Sequence, residues 1–496
     1  MKPSLPWRFA AALSLALPLT AQPPQTEIPT TIGETIDVRV VNVEAVVTAA
    51  SGERVGGLQA ADFRLLVDGR EVPAEYFAEV REGTSVKAEK APISAGEEVP
   101  RNYLVYIDEA FSLPNRRDAV LDKLERDLSL LGPADRMAIL AFDGARIHVL
   151  CPWTGDPKTL KAALAEARQR PAKGSEMLAH QRKLQADVTW VLDNADVLEP
   201  DVVQAEIQEL APRKSPEART QLGKTTEAAT AALRGFEAPA GRKLMLLLSG
   251  AWSLSVAPRL YGPVVHAANE LGYTVYPVDA SQSDLHEASA LDALARSTGG
   301  RLLIPADNAV FREMVADSGT YYWLGFTPTW KADDRGHAVT LEVRRTGLTV
   351  RSRNGFSDLS HRTEAAIKAE SVLLFGGAAT DRRLIVQLGE PKRHGGAFEV
   401  PVTLGVPVEA LALTPKGKGY LADIPLAVAT EEEDGRRSNL SGPRLRVMLA
   451  AVPPAGTYAR FKTAVLVRDP KQRLIFTIHD PVNGEAIWGE AGAEVK

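Results

Sequence analysis

The most informative segment of the chain reads YLVYIDEAFS, residues 103–112. Its first five residues are apolar and rich in β-formers, and a charged, proline-containing stretch precedes them. This pattern predicts a strand that is buried in a parallel sheet. Asp108 ends the strand, Ser112 follows four residues later, and a helical pattern begins at Asn115. A carboxylate and a hydroxyl at the carboxyl end of a central strand lie where open α/β sheets bind ligands.

Outward from this stretch, strand-like and helical patterns alternate from residue 101 to about residue 320. The strand-like runs include RMAILAF, KLMLLLSG and YTVYPVD, and amphipathic stretches follow several of them. Alternation of this kind is typical of sheets whose parallel strands are joined by crossover helices. The sequence therefore predicts the α/β class, with a doubly wound, mostly parallel, Rossmann-like sheet.

Composition divides the rest of the chain into further units. Residues 35–80 predict a small β module, and residues 81–100, which lack periodicity, predict a linker. The α/β domain would then span residues 101–356, with a helical insertion at 156–236 that is rich in Ala, Glu, Gln and Arg. Several β runs in residues 357–496 predict a C-terminal β-sandwich.

The first residues have the pattern of an export signal. Residues 1–21 combine two basic residues, a short apolar run and small residues before a cleavage site, which predicts a signal peptide. Residues 22–34, rich in Pro and Thr, predict a disordered linker. No later stretch is long and apolar enough to predict a transmembrane segment. The protein is therefore expected to be exported, with a periplasmic, cell-surface or secreted location.

Composition also limits the function classes. The formal net charge is −5 and no strongly basic patch occurs, so nucleic acid is excluded as an expected partner. Cys151 is the single cysteine of the chain, so an intramolecular disulfide is impossible. Its expected role is that of a small buried apolar side chain.

Three segments together resemble a known family. The opening module carries Asp62-Phe63 and Asp68-Gly69, the central part carries YLVYIDEAFS, MAILAFD and GRKLMLLLSGAW in order, and YYWLGFTP precedes a closing strand pair. In this order the segments resemble the von Willebrand factor A (vWA) domain proteins that are abundant in Acidobacteria. The resemblance covers roughly residues 35–356. It implies a vWA-like sheet and a role in protein–protein interaction.

The resemblance also implies a metal-ion-dependent adhesion site, whose ligands are oxygen atoms from three loops. The family pattern Asp-x-Ser-x-Ser corresponds here to Asp108, Ala110 and Ser112, so one hydroxyl is missing. Ser175 is the candidate for the second loop, and Gly250 stands where the family has an aspartate. The predicted metal ligands are therefore Asp108, Ser112 and Ser175, a degenerate site at which Mg²⁺ or Mn²⁺ would bind weakly or not at all.

Two other interpretations of the same residues remain open. Asp108 and Ser112 could instead cap the helix that follows them. Asp108, Asp143 and Asp279 all stand at predicted strand ends, and converging carboxylates could serve a hydrolase. No histidine stands in a metal-type spacing, and no Gly-x-Ser-x-Gly, Walker A or dinucleotide motif occurs.

The sequence therefore favours an exported, non-enzymatic vWA-domain protein that binds another protein, in adhesion or as an envelope scaffold. No catalytic residue, no cofactor-binding residue and no certain cofactor are predicted. The alternatives are the hydrolase with strand-end aspartates and a purely structural envelope component.

Overall fold

The structure is a computed structural model of the 496-residue chain. The part of the chain that it describes comprises residues 40–91, 93–176, 216–236, 238–250, 260–280, 290–304, 310–330, 332–375, 383–411, 413–417, 419–432, 437–468, 472–479 and 486–492. The predicted signal peptide (1–21) and linker (22–34) lie outside the described residues, as does the middle of the predicted helical insertion.

Strands outnumber helices among the described residues. The strands are β1 (Val41–Ala49), β2 (Phe63–Val67), β3 (Arg70–Val72), β4 (Tyr76–Arg81), β5 (Thr84–Glu89), β6 (Arg101–Asp108), β7 (Arg136–Phe142), β8 (Ile147–Thr154), β9 (Arg242–Ser249), β10 (Tyr273–Asp279), β11 (Thr320–Phe326), β12 (Gly336–Val343), β13 (Leu348–Arg351), β14 (Gly355–Ser357), β15 (Ile385–Leu388), β16 (Lys392–His394), β17 (Ala397–Pro407), β18 (Thr414–Lys416), β19 (Gly419–Glu432), β20 (Arg437–Leu449), β21 (Tyr458–Val467), β22 (Gln472–His479) and β23 (Ala486–Gly492). The α-helices are α1 (Pro114–Arg126), α2 (Pro157–Gln169), α3 (Pro216–Gly235), α4 (Gly262–Leu271), α5 (Ala290–Ser297), α6 (Val310–Gly319) and α7 (His361–Phe375).

The sheet that contains β6 has the strand order β10-β9-β6-β7-β8. Strand β6 pairs in parallel with β7 and β9, β9 pairs in parallel with β10, and β8 is antiparallel to β7. Side chains of β6 alternate between two cores, with Tyr103 in the one that α1, α2 and α6 cover and Leu104 in the one that α3, α4 and α5 cover. The prediction that residues 103–107 form a buried, central strand is confirmed.

Two antiparallel sheets enclose a separate core near the amino end of the chain. Their strand orders are β13-β1-β11-β4-β5 and β14-β12-β2-β3. Strand β1 pairs with β11 from Val41↔Phe326 and with β13 from Val46↔Arg351. Strand β1 thus pairs with strands that were predicted to belong to a different unit. The sequence of a strand does not indicate which other strand it pairs with, so this pairing could not be predicted.

The C-terminal part has two more antiparallel sheets around a shared apolar core. Strand β17 is central in one, with β15 and β16 along one edge and β21 along the other. Strand β19 is central in the second, between β20 and β22, and β23 follows β22. Helix α7 covers the outer side of the second sheet and contacts α3, where the rings of Phe236 and Phe375 meet edge to face at 5.3 Å.

The predicted fold class is wrong. Of the five sheets in the described residues, four are antiparallel throughout, so a doubly wound, mostly parallel sheet does not describe this chain. Within the part that the structure describes, parallel strand pairs occur only between β6, β7, β9 and β10, with one isolated parallel bridge, Val278↔Leu303, beside them. The strand–helix alternation holds for one stretch of the chain, whereas most strands lie in the segments that flank it. No helix of the described residues is both long enough and apolar enough to cross a bilayer.

Candidate functional site

The candidate site lies at the carboxyl edge of the β6 sheet. Asp108 is the last residue of β6 and is fully buried beside Phe142 of β7. Its Oδ1 accepts a hydrogen bond from the Ala110 amide at 3.0 Å, and its carbonyl oxygen accepts one from the Ser112 amide at 3.1 Å. Both contacts close the turn that follows the strand. The buried side chain of Asp108 therefore stabilises this loop by a hydrogen bond to its backbone.

The helix-capping interpretation of Asp108 and Ser112 is wrong. The residue that precedes α1 is Leu113, which makes no side-chain cap, and Pro114 occupies the first turn. Proline suits that position, because it lacks the amide hydrogen that would otherwise need a partner. The Leu113 amide instead donates to the carbonyl oxygen of Ala280, just after β10, at 3.0 Å. The loop is thus held by the neighbouring strand end rather than by a cap.

The carboxyl group of Asp108 is also bound from the adjacent strand. Ser249, the last residue of β9, donates its hydroxyl to Asp108 Oδ2 at 2.5 Å. Burial raises the pKa of Asp108 to about 7, although the hydrogen bonds from Ser249 and Ala110 act in the opposite direction. Near neutral pH a sizeable share of Asp108 is therefore protonated. A protonated carboxyl group is a poor cation ligand.

The predicted metal ligands do not form a cation site in the described residues. Asp108 has both oxygens bound by protein donors, Ser175 is exposed, and Ala110 presents only a buried methyl group. The hydroxyl of Ser112 is buried without a hydrogen-bond partner, which is the one feature that would suit a ligand. No group of three or more His, Cys, Asp or Glu side chains in these residues is placed to hold a metal ion. The set does not fit Mg²⁺ or Mn²⁺, which need several charged oxygen ligands.

Glu109 holds a neighbouring segment against this edge of the sheet, a role that the sequence did not predict. Its buried carboxylate binds the Arg170 guanidinium through two hydrogen bonds, of 2.6 and 3.1 Å. Its carbonyl oxygen accepts from the Lys173 amide at 2.7 Å, and the Gly174 amide donates to the Ser112 carbonyl oxygen at 3.1 Å. These bonds fasten residues 170–174 across the loop that follows β6. No local signal could have found this pair, since its members lie 61 positions apart.

Asp143 and Asp279 have separate structural roles. Asp143 follows β7, and its Oδ1 accepts from the amides of Ala145 and Arg146, both at 2.8 Å, in the turn before β8. His148 lies 2.7 Å from its Oδ2. Burial acts to raise the pKa of Asp143, but the hydrogen bonds from His148 and the two amides outweigh burial and lower it to about 2. Asp279 ends β10 in register with Ser249.

The three strand-end aspartates therefore do not share one environment. Asp108 is buried with a raised pKa, Asp143 is a low-pKa carboxylate fixed by its own hairpin, and Asp279 is half-buried. The sequence analysis did not predict the pairing of Asp143 with His148, although the two residues lie five positions apart in one short hairpin. Asp143 could orient His148 as a general base, but no nucleophile for such a base to activate is identified beside this pair among the described residues.

Comparisons with known proteins place few limits on this chain. No family model matches it, and no curated protein matches it either. Similar solved structures include the TFIIH p34 N-terminal domain (16% identity, 44% of this chain and 95% of that chain, TM-score 0.21) and the SpRpn10 VWA domain (9% identity, 44% and 94%, TM-score 0.20). A mutant of the PilB minor pilin from Streptococcus sanguinis is also similar (9% identity, 55% and 86%, TM-score 0.26).

A VWA domain is thus among the structures to which the chain is similar, but TM-scores this low carry no argument about fold family or function. The relation to Acidobacterial vWA proteins stays a prediction.

Proposed function

We propose that this chain is an exported, non-enzymatic protein that binds another protein through the outer face of the sheet formed by β15, β17 and β21. We call this surface the outer β17 face. It comprises the outward side chains of those strands, chiefly Ile385, Thr403, Tyr458, Arg460, Lys462 and Leu466. The observation that carries the proposal is the exposure of large apolar side chains on this single face.

Ile385, Tyr458 and Leu466 are 47%, 45% and 55% exposed. Strand β21 alternates, so that its odd-numbered residues face the core while Tyr458 and Leu466 point outward. Ile385 and Tyr458 approach each other across Gly405, since a Cβ atom added at Gly405 would lie 3.2 Å from Ile385 Cβ and 3.5 Å from Tyr458 Cδ1. The apolar area is therefore continuous at that end of the face. Grouped exposed apolar side chains on a soluble protein mark an interaction surface.

The charge of the outer β17 face indicates which kind of partner it fits. Arg460 lies opposite Gly405 and Lys462 lies opposite Thr403, between the apolar residues of β21, whereas the carboxylate of Glu399 lies opposite Leu466 at the other end of the face. Neither cation forms an ion pair with another described residue. Tyrosine and arginine are also the side chains most enriched at protein interfaces. We therefore propose a protein partner whose contact surface is acidic, with an apolar centre.

Two further features support a binding role over a hydrolase. Asp108 is enclosed and hydrogen-bonded on both oxygens, and Asp143 is fixed as a low-pKa carboxylate in its turn. A general acid or base needs a pKa near the working pH together with access to substrate. Asp108 lacks access to substrate, and the pKa of Asp143 is too low for a general acid or base near neutral pH. Export, through the sequence pattern of residues 1–21, remains part of the proposal.

The test uses a photo-crosslinking amino acid at Tyr458 in the full-length chain, in the native cells. We expect one protein to be captured at Tyr458 and not at Arg344, an exposed control position just after β12. The captured protein, once purified, should bind the wild-type chain at least tenfold more tightly than Arg460→Glu/Lys462→Glu. Its affinity should fall as salt is raised, because charge attraction is screened.

Equal binding by the double variant, or capture of the same protein from both positions, would refute the outer β17 face as the binding surface. Turnover of ester, phosphate or peptide substrates by the wild type, lost in Asp143→Asn, would instead favour the hydrolase.

A further inference from the structure

Strand β21 forms an open edge of the C-terminal sandwich. All 10 of its residues pair with residues of β17. Within the part of the chain that the structure describes, no other strand forms a ladder with β21. The opposite side of the same sheet is joined to the second sheet, because the amide of Leu384, just before β15, donates to the carbonyl oxygen of Trp488 in β23 at 3.0 Å. The sandwich is therefore closed on the β15 side and open on the β21 side.

Hydrogen bonds of β17 show which backbone groups of β21 face this open edge. The amide of Gly389, just after β15, donates to the Pro401 carbonyl oxygen at 2.7 Å, so the backbone of Pro401 points away from β21. Backbone groups alternate in direction along an antiparallel strand, so the even-numbered residues of β17 bond to the odd-numbered residues of β21 that lie opposite them. The amide and carbonyl groups that face the open edge are therefore those of Tyr458, Arg460, Lys462, Ala464 and Leu466.

We call the backbone groups of these five residues the β21 edge. All five residues are exposed, and their side chains lie on the outer β17 face, because side chains alternate between the two faces of a strand. A row of backbone donors and acceptors without a partner strand is a template for one more strand. The same residues therefore offer hydrogen bonds at the edge and side-chain contacts on the face.

The charges of the β21 edge indicate which strand fits it. Arg460 and Lys462 lie two positions apart, and neither forms an ion pair with another residue that the structure describes. The cations of the neighbouring strand β20 differ in this respect, because Arg444 and Arg446 both bind Asp423. Two copies of β21 that pair with Arg460 opposite Lys462 would bring like charges together, which destabilises a strand pair. An acidic strand fits the edge better than a second copy of β21.

We propose that the partner binds by adding an acidic, extended segment to the β21 edge as an antiparallel strand. The inference rests on the proposed function and states how the outer β17 face holds its partner. Backbone hydrogen bonds to the edge supply affinity, and two acidic side chains opposite Arg460 and Lys462, separated by one residue, supply specificity. Apolar side chains of the same segment lie beside Tyr458 and Leu466. Glu399, opposite Leu466 on β17, disfavours an acidic residue at that end.

The first experiment uses the dye-labelled peptide acetyl-Val-Thr-Ala-Val-Glu-Val-Glu-Val-Leu-amide and measures its binding to the full-length chain by fluorescence polarisation. Antiparallel addition sets its first Glu opposite Lys462 and its second Glu opposite Arg460. Methylation of the backbone nitrogen of the first Glu removes an N–H that bonds to the β21 edge. Methylation at the Val between the two Glu residues removes an N–H that faces away. We expect only the first change to weaken binding, by at least tenfold.

The charge requirement is tested with a peptide that has Lys in place of both Glu residues. This peptide should bind at least tenfold more weakly than the acidic one, because its charges repel those of Arg460 and Lys462. Equal effects of the two methylations, equal binding of the acidic and basic peptides, or no binding of the unmodified peptide would overturn the proposal.

The second experiment blocks the β21 edge in the protein and keeps both cations. Ala464→Pro removes one N–H of the edge, and proline is tolerated where the N–H of a strand faces away from the sheet. Ala464→Val is the matched control, because it adds a side chain of similar size and keeps the N–H. Both variants should melt close to the wild type, with peptide binding at least tenfold weaker in Ala464→Pro and unchanged in Ala464→Val. Wild-type binding by Ala464→Pro would overturn the proposal, and if this variant fails to fold the methylated peptides decide alone.

The protein captured at Tyr458 distinguishes this inference from the proposed function. Strand addition predicts that it loses affinity both for Ala464→Pro and for Arg460→Glu/Lys462→Glu. If it loses affinity for the charge variant alone, the outer β17 face binds through side chains only and strand addition is refuted. If it binds both variants like the wild type, the outer β17 face itself is refuted as the binding surface.

Discussion

Arg242 at the start of β9 donates to the Glu44 carboxylate of β1 at 2.7 Å, across 198 positions of the chain. The Arg242 guanidinium also donates to the Ser318 carbonyl oxygen at 2.6 Å and lies over the Tyr321 ring, 3.9 Å from its centre. Its side chain is almost wholly buried. One arginine thus joins the β6 sheet to the antiparallel sheet of β1 and β11.

The first prediction concerns this pair. Glu44→Gln should lower the free energy of unfolding by about 2–3 kcal/mol, since it leaves the buried Arg242 without its counter-charge. Urea unfolding measures the change. Glu71→Gln is the matched control, because Glu71 binds Arg64 and Arg344 in an exposed cluster and should contribute less than about 1 kcal/mol. Equal losses in the two variants would show that burial adds nothing to the Glu44 pair.

The second prediction is a pH dependence set by Asp108. Its folded-state pKa of about 7 lies above the ordinary value of 3.8, so the folded protein holds a proton that the unfolded chain has released. Stability is therefore fully present below about pH 4 and is lost as the pH rises towards 7, by up to about 4 kcal/mol. Asp108→Asn cannot ionise and should be less destabilising, relative to wild type, at pH 8 than at pH 4.5.

Urea unfolding at those two pH values tests the Asp108 effect. Asp423→Asn is its control, because hydrogen bonds from Arg444 and Arg446, which are charged at both pH values, lower the pKa of Asp423 and keep it ionised in the folded protein. Its cost should therefore be nearly the same at pH 4.5 and pH 8. A wild-type-like pH profile in Asp108→Asn would mean that Asp108 does not set the dependence.

The third prediction concerns the packing of residues 170–174 on the loop after β6. In Gly174→Ala the added Cβ would lie 2.5 Å from the Ser112 carbonyl oxygen and 2.8 Å from that of Phe111, so the segment must move away. We expect a loss of about 1–3 kcal/mol in thermal unfolding. Gly223→Ala in α3 meets no atom within 4 Å and should instead stabilise by about 0.5–1 kcal/mol. A neutral Gly174→Ala would show that this close contact is absent in solution.

The fourth prediction is the absence of a tight metal site. Calorimetric titration of the wild type with Mg²⁺ or Mn²⁺ should give weak or no binding, because Asp108 is committed to Ser249 and Ala110. Ala110→Ser together with Gly250→Asp should bind far more tightly than either single variant, since hydroxyl and second carboxylate act on one ion. Stoichiometric Mg²⁺ binding by the wild type that Asp108→Ala abolishes would contradict this.

The fifth prediction concerns export. Protein recovered from its native cells should lack residues 1–21, as mass spectrometry of the amino terminus would show. An intact Met1 on protein from the cytoplasm would rule out the predicted signal peptide.

Local patterns predicted the local structure well. The apolar run of residues 103–107 was enough to predict a buried central strand, because β-formers without polar interruption have few other places in a protein. The Asp68-Gly69 pair likewise marks a tight turn, and both residues have the positive φ angles that such turns require.

Long-range partners could not be predicted in the same way. The hydrogen bond from Ser249 to Asp108, the ion pair of Glu109 with Arg170 and the pairing of β1 with β11 each depend on which segments meet in space. A single sequence contains no signal for such meetings. For the same reason the sequence predicted a separate β module, whereas its first strand pairs with strands from the other end of the α/β segment.

That pairing bears on how the chain reaches its native state. The carboxyl end of β1 bonds to residues 53–55, but its pairing with β11 and β13 has to wait for segments that end at Phe326 and Arg351. Contacts between distant segments slow folding, and an unpaired strand edge invites association with other chains. A chain that crosses a membrane amino end first would therefore expose β1 for most of its passage. In a chain exported in this way, β1 would be open to association with other chains during that interval.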